Sequence, residues 1–173
     1  MKTLVFTAAI FVVLNVSAFG QATKPAAVAG PSAKRQAEVL TREKFDPTRD
    51  PSPDLQKGIE TATKSGKRII LDVGGEWCGW CVCMDKFFFE NPGLAKIRED
   101  NFVWVKVNYS EENENKPFLA PFPEPQAFPH LYILDAKGKL LHSHNTADLE
   151  MGKGYNLVKF TRFLKAWSPK KLN

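Results

Sequence analysis

The sequence predicts an α/β fold, a central mixed sheet of about four strands flanked by helices. Three observations predict it. First, "KRIILDV" is a short apolar run with β-branched residues, followed by the helical composition of "CGWCVCMDKFFFE" and then by "NFVWVKVNY". A strand, a crossover helix and a second strand imply a parallel pair with a right-handed connection. Second, "HLYILDAKGKLLHSH" reads as two strands around the turn Asp135–Gly138. Third, "YNLVKFTRFLKAW" closes the pattern with Leu157, Phe160, Leu164 and Trp167 on one helical face.

Taken in order, the elements justify themselves locally. "DLQKGIETATKSGK" carries Leu55, Ile59 and Ala62 at helical spacing, a narrow apolar stripe. The stretch "KRIILDV" holds a short apolar run with β-branched residues, as a buried strand does. The helix opened by Cys78 runs until "NPG" stops it. "NFVWVKVNY" alternates, with Phe102, Trp104 and Lys106 on one face and Val103, Val105 and Val107 on the other. The link to the next strand, "SEENENKPFLAPFPEPQAF", holds Pro117, Pro121, Pro123 and Pro125, so no normal helix is expected along it. About 125 residues from Phe45 onward are enough for a real core.

The ends have different compositions. Lys2 precedes an apolar run from Leu4 to Val16, and small residues follow, with Gly20 and Ala22 as candidate cleavage ends. That is the layout of a secretory signal peptide over 1–22, and the run is too short for a membrane span. Residues 23–42 are rich in Ala, Pro and Lys and read as a flexible linker; 43–173 form the folded domain. A soluble monomer in the periplasm or a secretory compartment is expected, without membrane insertion after cleavage, where disulfides persist. The net charge of +5 is scattered and forms no basic stripe, which argues against nucleic acid.

All three cysteines lie in "DVGGEWCGWCVCMD", at Cys78, Cys81 and Cys83. A zinc site wants four ligands at short spacings. The three histidines, His130, His142 and His144, lie far along the chain and match none, although the last two can share a strand face. A disulfide between Cys78 and Cys81 would close too short a loop to constrain the unfolded chain much. Redox chemistry explains the spacing better. Cys78 follows a strand and opens a helix, whose free N–H groups stabilise a thiolate. Cys81, one turn along, can attack a mixed disulfide and release the partner. Cys78 is thus the expected exposed nucleophile and Cys81 the buried resolving thiol. Cys83 points roughly 200° away from Cys81. It reads as a small buried hydrophobe, with a third redox thiol as the alternative.

"RIILDVGGEWCGWC" resembles the active-site strand and loop of the thioredoxin superfamily. The similarity extends from about Phe45 to Trp167 and is greatest to secreted thioredoxin-like proteins, through "FDPTRDP" and the Gly-Gly before the site. The resemblance implies a thioredoxin-like fold and a Cys78/Cys81 redox-active disulfide with no cofactor and no metal. It implies that Asp72 is a buried carboxylate moving the proton of Cys81, and that Lys106 is its strand partner. Pro129, in "AFPHLYILD", matches the family's cis-proline, so that Trp77, Trp80, Phe128 and Pro129 form the expected substrate face. Partners would be protein thiols and disulfides, plus a redox partner that keeps the pair reduced. Gly79-Trp80 replaces the usual Gly-Pro between the cysteines. The uncharged Trp80, and the negative Glu76 nearby, point to a reductant or isomerase rather than a strong oxidant. A thioredoxin-fold chaperone that binds peptides beside Pro129 is the competing reading.

Overall fold

A computed structural model of the protein describes residues 42–170. The expected signal peptide, and the linker up to its last residue, lie outside the described residues. Helix α1 (Ser52–Ser65) carries Pro53 in its first turn, where a missing N–H costs nothing, and stops at Gly66, whose φ of 69° suits glycine. Strand β1 (Arg68–Gly74) leads to α2 (Gly79–Glu90). Then come α3 (Pro92–Asn101), β2 (Phe102–Asn108), the single turn α4 (Lys116–Leu119), β3 (His130–Leu134) and β4 (Leu140–Asn145). A 3-10 turn over Thr146–Leu149 precedes a small hairpin of β5 (Glu150–Met151) and β6 (Gly154–Tyr155). Helix α5 (Leu157–Trp167) is last.

The main sheet has the order β2-β1-β3-β4. β1 runs parallel to β2 and antiparallel to β3, and β3 pairs antiparallel with β4. Four strands, mixed, with helices on both faces is the architecture the sequence predicts. Strand β1 is central, and everything in it after Arg68 is buried. Its alternation splits the core in two. Ile69, Leu71 and Val73 meet Ala62 of α1, Val105, Val107, Tyr132 and Leu134 on one face. Ile70 meets Met84, Phe88, Leu94, Phe160 and Leu164 of α2, α3 and α5 on the other. The two faces expected for β2 are observed, with Phe102 and Trp104 in the second core and Val103, Val105 and Val107 in the first.

Three details differ from the sequence reading. "NPG" stops α2 but also starts α3, because Pro92 occupies a first-turn position that needs no N–H donor. The proline-rich link does hold one helical turn, with Pro117 likewise in its first turn. It is no solvated strand of linker either: Phe118, Leu119 and Phe122 pack on the α1-side core, and the Tyr132 hydroxyl donates to the Pro123 carbonyl. Finally, Leu157 is 46% exposed, while Phe160, Phe163 and Leu164 form the buried face of α5. Leu157 shares that face by spacing, but it is the first residue of the helix, and the packed surface begins one turn later. Among the described residues no helix is long and apolar enough to cross a membrane.

Candidate active site

The site forms where β1 ends against the start of α2. Cys78 is the N-cap of α2, with extended backbone, and its Sγ accepts the Cys81 backbone N–H at 3.1 Å. A sulfur in that position faces the unpaired amides and the positive end of the helix dipole. Cys78 and Cys81 are joined as a disulfide, with their Cα atoms 5.2 Å apart. Cys78 is 5% exposed and Cys81 0%. The order is the expected one, but the nucleophile candidate is far more covered than a free helix start would leave it. Cys83 carries a free thiol, is half-buried, and packs on the α2-side core. Burial pushes its thiol above the ordinary range, so it is the less ready to ionise.

Two glycines allow this packing. A Cβ on Gly74 would overlap Cys81 Sγ, and one on Gly75 would overlap the Trp77 indole. The Gly-Gly pair therefore lets the strand end run directly under the disulfide.

Asp72 lies two residues before Gly74 on the same strand face, about 7 Å away along β1. It is fully buried. Its Oδ2 accepts from Trp104 Nε1 at 3.1 Å and from Lys106 Nζ at 3.2 Å, while Oδ1 has no partner. The pairing follows from register, since Asp72 and Lys106 are opposed across the parallel β1–β2 ladder. Lys106 Nζ also reaches both oxygens of Asp85, at 3.0 and 3.1 Å. Arg42 Nη1 donates to Asp85 Oδ2 at 2.8 Å. Burial drives the Asp72 carboxyl above its usual range, and Asp85 adds to the rise, against the pull of Lys106. Burial works to lower Lys106, yet the two carboxylates outweigh it and hold the ammonium above the ordinary lysine range. The arrangement is a largely buried chain of alternating charge ending in a carboxyl that burial holds above its usual range.

The aromatic residues divide into two groups. Trp77 is 59% exposed, donates Nε1 to the Tyr109 carbonyl at 2.7 Å, and meets the Phe128 ring edge-on at 5.5 Å. Tyr109 lies 4.7 Å from Phe128, so these three rings make one surface. The Phe128–Pro129 bond is cis, Pro129 is buried, and Thr146 Oγ1 donates to its carbonyl at 2.6 Å. Trp80 packs against the disulfide cluster from the α2 side. It is half-buried and packs edge-on against Tyr155 at 5.4 Å. Its indole thus bridges the disulfide cluster, which Phe128 also meets, and the core between α2 and β6.

The structure adds residues that sequence reading missed. Phe45 covers both cysteines, and Lys106 Nζ lies 4.0 Å from its ring centre. Arg42, assigned to the linker, pairs with Glu76 as well as with Asp85. Burial alone would raise the Glu76 carboxyl, but hydrogen bonds from Arg42 and from Phe45 N, the latter at 3.1 Å, hold it below its usual range. The Glu76 charge expected to oppose a thiolate is therefore compensated. Asp85, seven residues past Cys78, carries no signal until α2 is laid over β2 and meets Lys106; Arg42 and Phe45 had none beyond the lead-in itself. Among the described residues no cluster of three or more metal-ligating side chains occurs. His142 Nε2 and His144 Nδ1 do share a face of β4, 3.3 Å apart, stacked on Trp167 and Phe163.

Comparison with known proteins agrees with this fold. The chain is 45% identical over 66 residues to an uncharacterised protein of Caenorhabditis elegans, covering 38% of this chain and 9% of that one. It is 32% identical over 76 residues to human spermatogenesis-associated protein 20, covering 44% of this chain and 10% of that one. The chain thus spans about a tenth of the length of these relatives. Among solved structures, a disulphide isomerase from Xylella fastidiosa Temecula1 superposes with a TM-score of 0.59 at 17% identity, covering 73% of this chain and 98% of that one. The oxidised C-terminal domain of Neisseria meningitidis DsbD superposes with a TM-score of 0.51 at 17% identity, over 72% and 98%. The family model described as thioredoxin-like matches residues 50–136, half of the sequence, and the chain belongs to that family.

Proposed function

We propose that this protein is a thiol–disulfide oxidoreductase of an exported compartment, acting as a monomer on protein disulfides through Cys78 and Cys81. The supporting observation is the disulfide at the N-terminus of α2, with Cys81 buried above the strand face that carries Asp72. In the reducing direction the Cys78 thiolate attacks a substrate disulfide. A bond forms from Cys78 Sγ to one substrate sulfur, the substrate S–S bond breaks, and the leaving sulfur takes up a proton. Cys81 then loses its proton and attacks Cys78, releasing the second substrate thiol. Two electrons pass from the pair to the substrate, and a reducing partner restores the dithiol.

Turnover of a model protein disulfide by wild type, set against Cys78→Ser, tests this. Loss of at least about a hundredfold is expected, since no other residue replaces the attacking sulfur; equal rates would end the proposal. The direction rests on the neutral Trp80 alone, now that Glu76 is paired. A potential near or below roughly −200 mV is expected on equilibration with glutathione, whereas roughly −120 mV would make the protein a disulfide donor. Export rests on the composition of residues 1–22, and N-terminal sequencing of protein recovered from the exported fraction is expected to begin after Gly20 to Ala22.

The exposed Trp77, backed by the half-buried rings of Tyr109 and Phe128, favours one second reading, a peptide-binding chaperone with secondary redox activity. Suppression of aggregation that survives Cys78→Ser without turnover would select it.

A further inference from the structure

Phe45 comes from the segment ahead of α1, outside the residues that the family model matches. It is 3% exposed and packs against Cys78 and Cys81. The space it fills exists because β1 ends in glycine. A Cβ on Gly74 would lie 3.3 Å from the tip of the Phe45 ring, as well as overlapping Cys81 Sγ. The strand supplies no side chain there, and the lead-in supplies a phenyl ring instead. The segment is held by polar contacts, Phe45 N to Glu76 and the Arg42 guanidinium across Glu76 and Asp85. No ladder hydrogen bond of the sheet holds it.

We propose that Phe45, fixed by the Arg42 clamp, is a positioning residue that closes the Cys81 side of the pair, so that incoming groups reach Cys78 alone. The proposal rests on the dithiol reading above and adds the side chain that shields Cys81. When a partner thiolate reduces the oxidised protein, it attacks Cys78 Sγ. A sulfur–sulfur bond forms to Cys78, the Cys78–Cys81 bond breaks, and Cys81 leaves as a thiolate that takes up a proton. The Phe45 ring packs on both cysteines, but Cys78 keeps 5% of its surface open and Cys81 none.

The test maps alkylation of the full, reduced chain by iodoacetamide, reading Cys78, Cys81 and Cys83 separately by mass. In wild type, Cys78 labels first and Cys81 is protected. Phe45→Ala is expected to speed Cys81 labelling at least about fivefold with Cys83 unchanged, because exposure governs thiol access. Phe45→Leu, which refills the space, is expected to restore protection. Arg42→Gln, which removes the clamp without opening a cavity, is expected to move Cys81 in the same direction by less. Cys83 reports global opening. If Phe45→Ala labels Cys83 at its denatured rate, Arg42→Gln decides, and wild-type protection of Cys81 there overturns the proposal. In the folded Phe45→Ala variant, unchanged Cys81 labelling overturns it, as does Phe45→Leu labelling as fast as Phe45→Ala. Alkylation needs no turnover, so its result stands apart from the test of oxidoreductase activity.

Discussion

Asp72 shows what one residue's burial does to chemistry and to stability together. Its Oδ1 has no partner, and burial raises the carboxyl. Attack by Cys78 needs only its own thiolate, whereas release of a mixed disulfide needs Cys81 to lose a proton in a buried setting. Asp72→Asn is therefore expected to slow release more than attack, by roughly a hundredfold, the lower end for a lost acid–base group. Stopped-flow kinetics that found both steps slowed equally would leave Asp72 a structural residue. The stability sign follows from the raised folded value. Between the unfolded carboxyl range and that higher value the unfolded chain ionises first, so this group's contribution falls as pH rises through the interval. Asp72→Asn should raise the melting midpoint at pH 7, with the gain shrinking as the pH falls toward the unfolded carboxyl range. The carboxylate and its lysine were legible through the resemblance to thioredoxins, and the β1–β2 register opposes them. Asp85 was not, since one acidic residue on a helix carries no signal until the helix is rotated over β2.

At the scale of elements, the junction of β1 with α2 is the most tightly determined part of the chain. Gly74→Ala is expected to destabilise the protein by about 1–3 kcal/mol, the usual cost of overpacking, because the neighbouring sulfur is held in the disulfide and cannot yield. A denaturant midpoint within error of wild type would contradict that. Strands and long helices were readable because their periodicity is dictated by two well-filled cores. Helix α3 was not: only Leu94 is buried in it, so no stripe shows, and Pro92-Gly93 resembles an ending. The β5–β6 hairpin escaped for a related reason, two residues per strand being too few to alternate. The segment from Arg42 to Asp50 reads as turn-rich and polar. Its one aromatic, Phe45, is buried by a vacancy at position 74 that only the assembled fold reveals.

Over the whole molecule, the β3–β4 hairpin carries an acid-sensitive group. Burial lowers His130 to about 4, and it lowers His142 and His144 as well. His130 Nε2 meets Ser143 Oγ at 2.8 Å, while its Nδ1 is buried without a partner. These histidines stay neutral in the fold but protonate in the unfolded chain near their ordinary value. Their stability contribution is present above about pH 6.5 and is lost as the pH falls toward their depressed folded values. Asp72 acts in the opposite sense over the acidic range. Thermal melts should show a midpoint that drops between pH 7.5 and pH 5, and His130→Phe should flatten that drop. A slope unchanged in the variant would assign the acid sensitivity elsewhere.

The borrowed ring over Gly74 has a practical consequence for anyone trimming the gene. A shortened chain that began at residue 50, where the family match begins, would keep every strand and helix described above. It would also discard Arg42 and Phe45, and leave an aromatic-sized hole beside the disulfide. Reactivity measured on such a fragment would describe an uncovered pair, not the pair of the full chain.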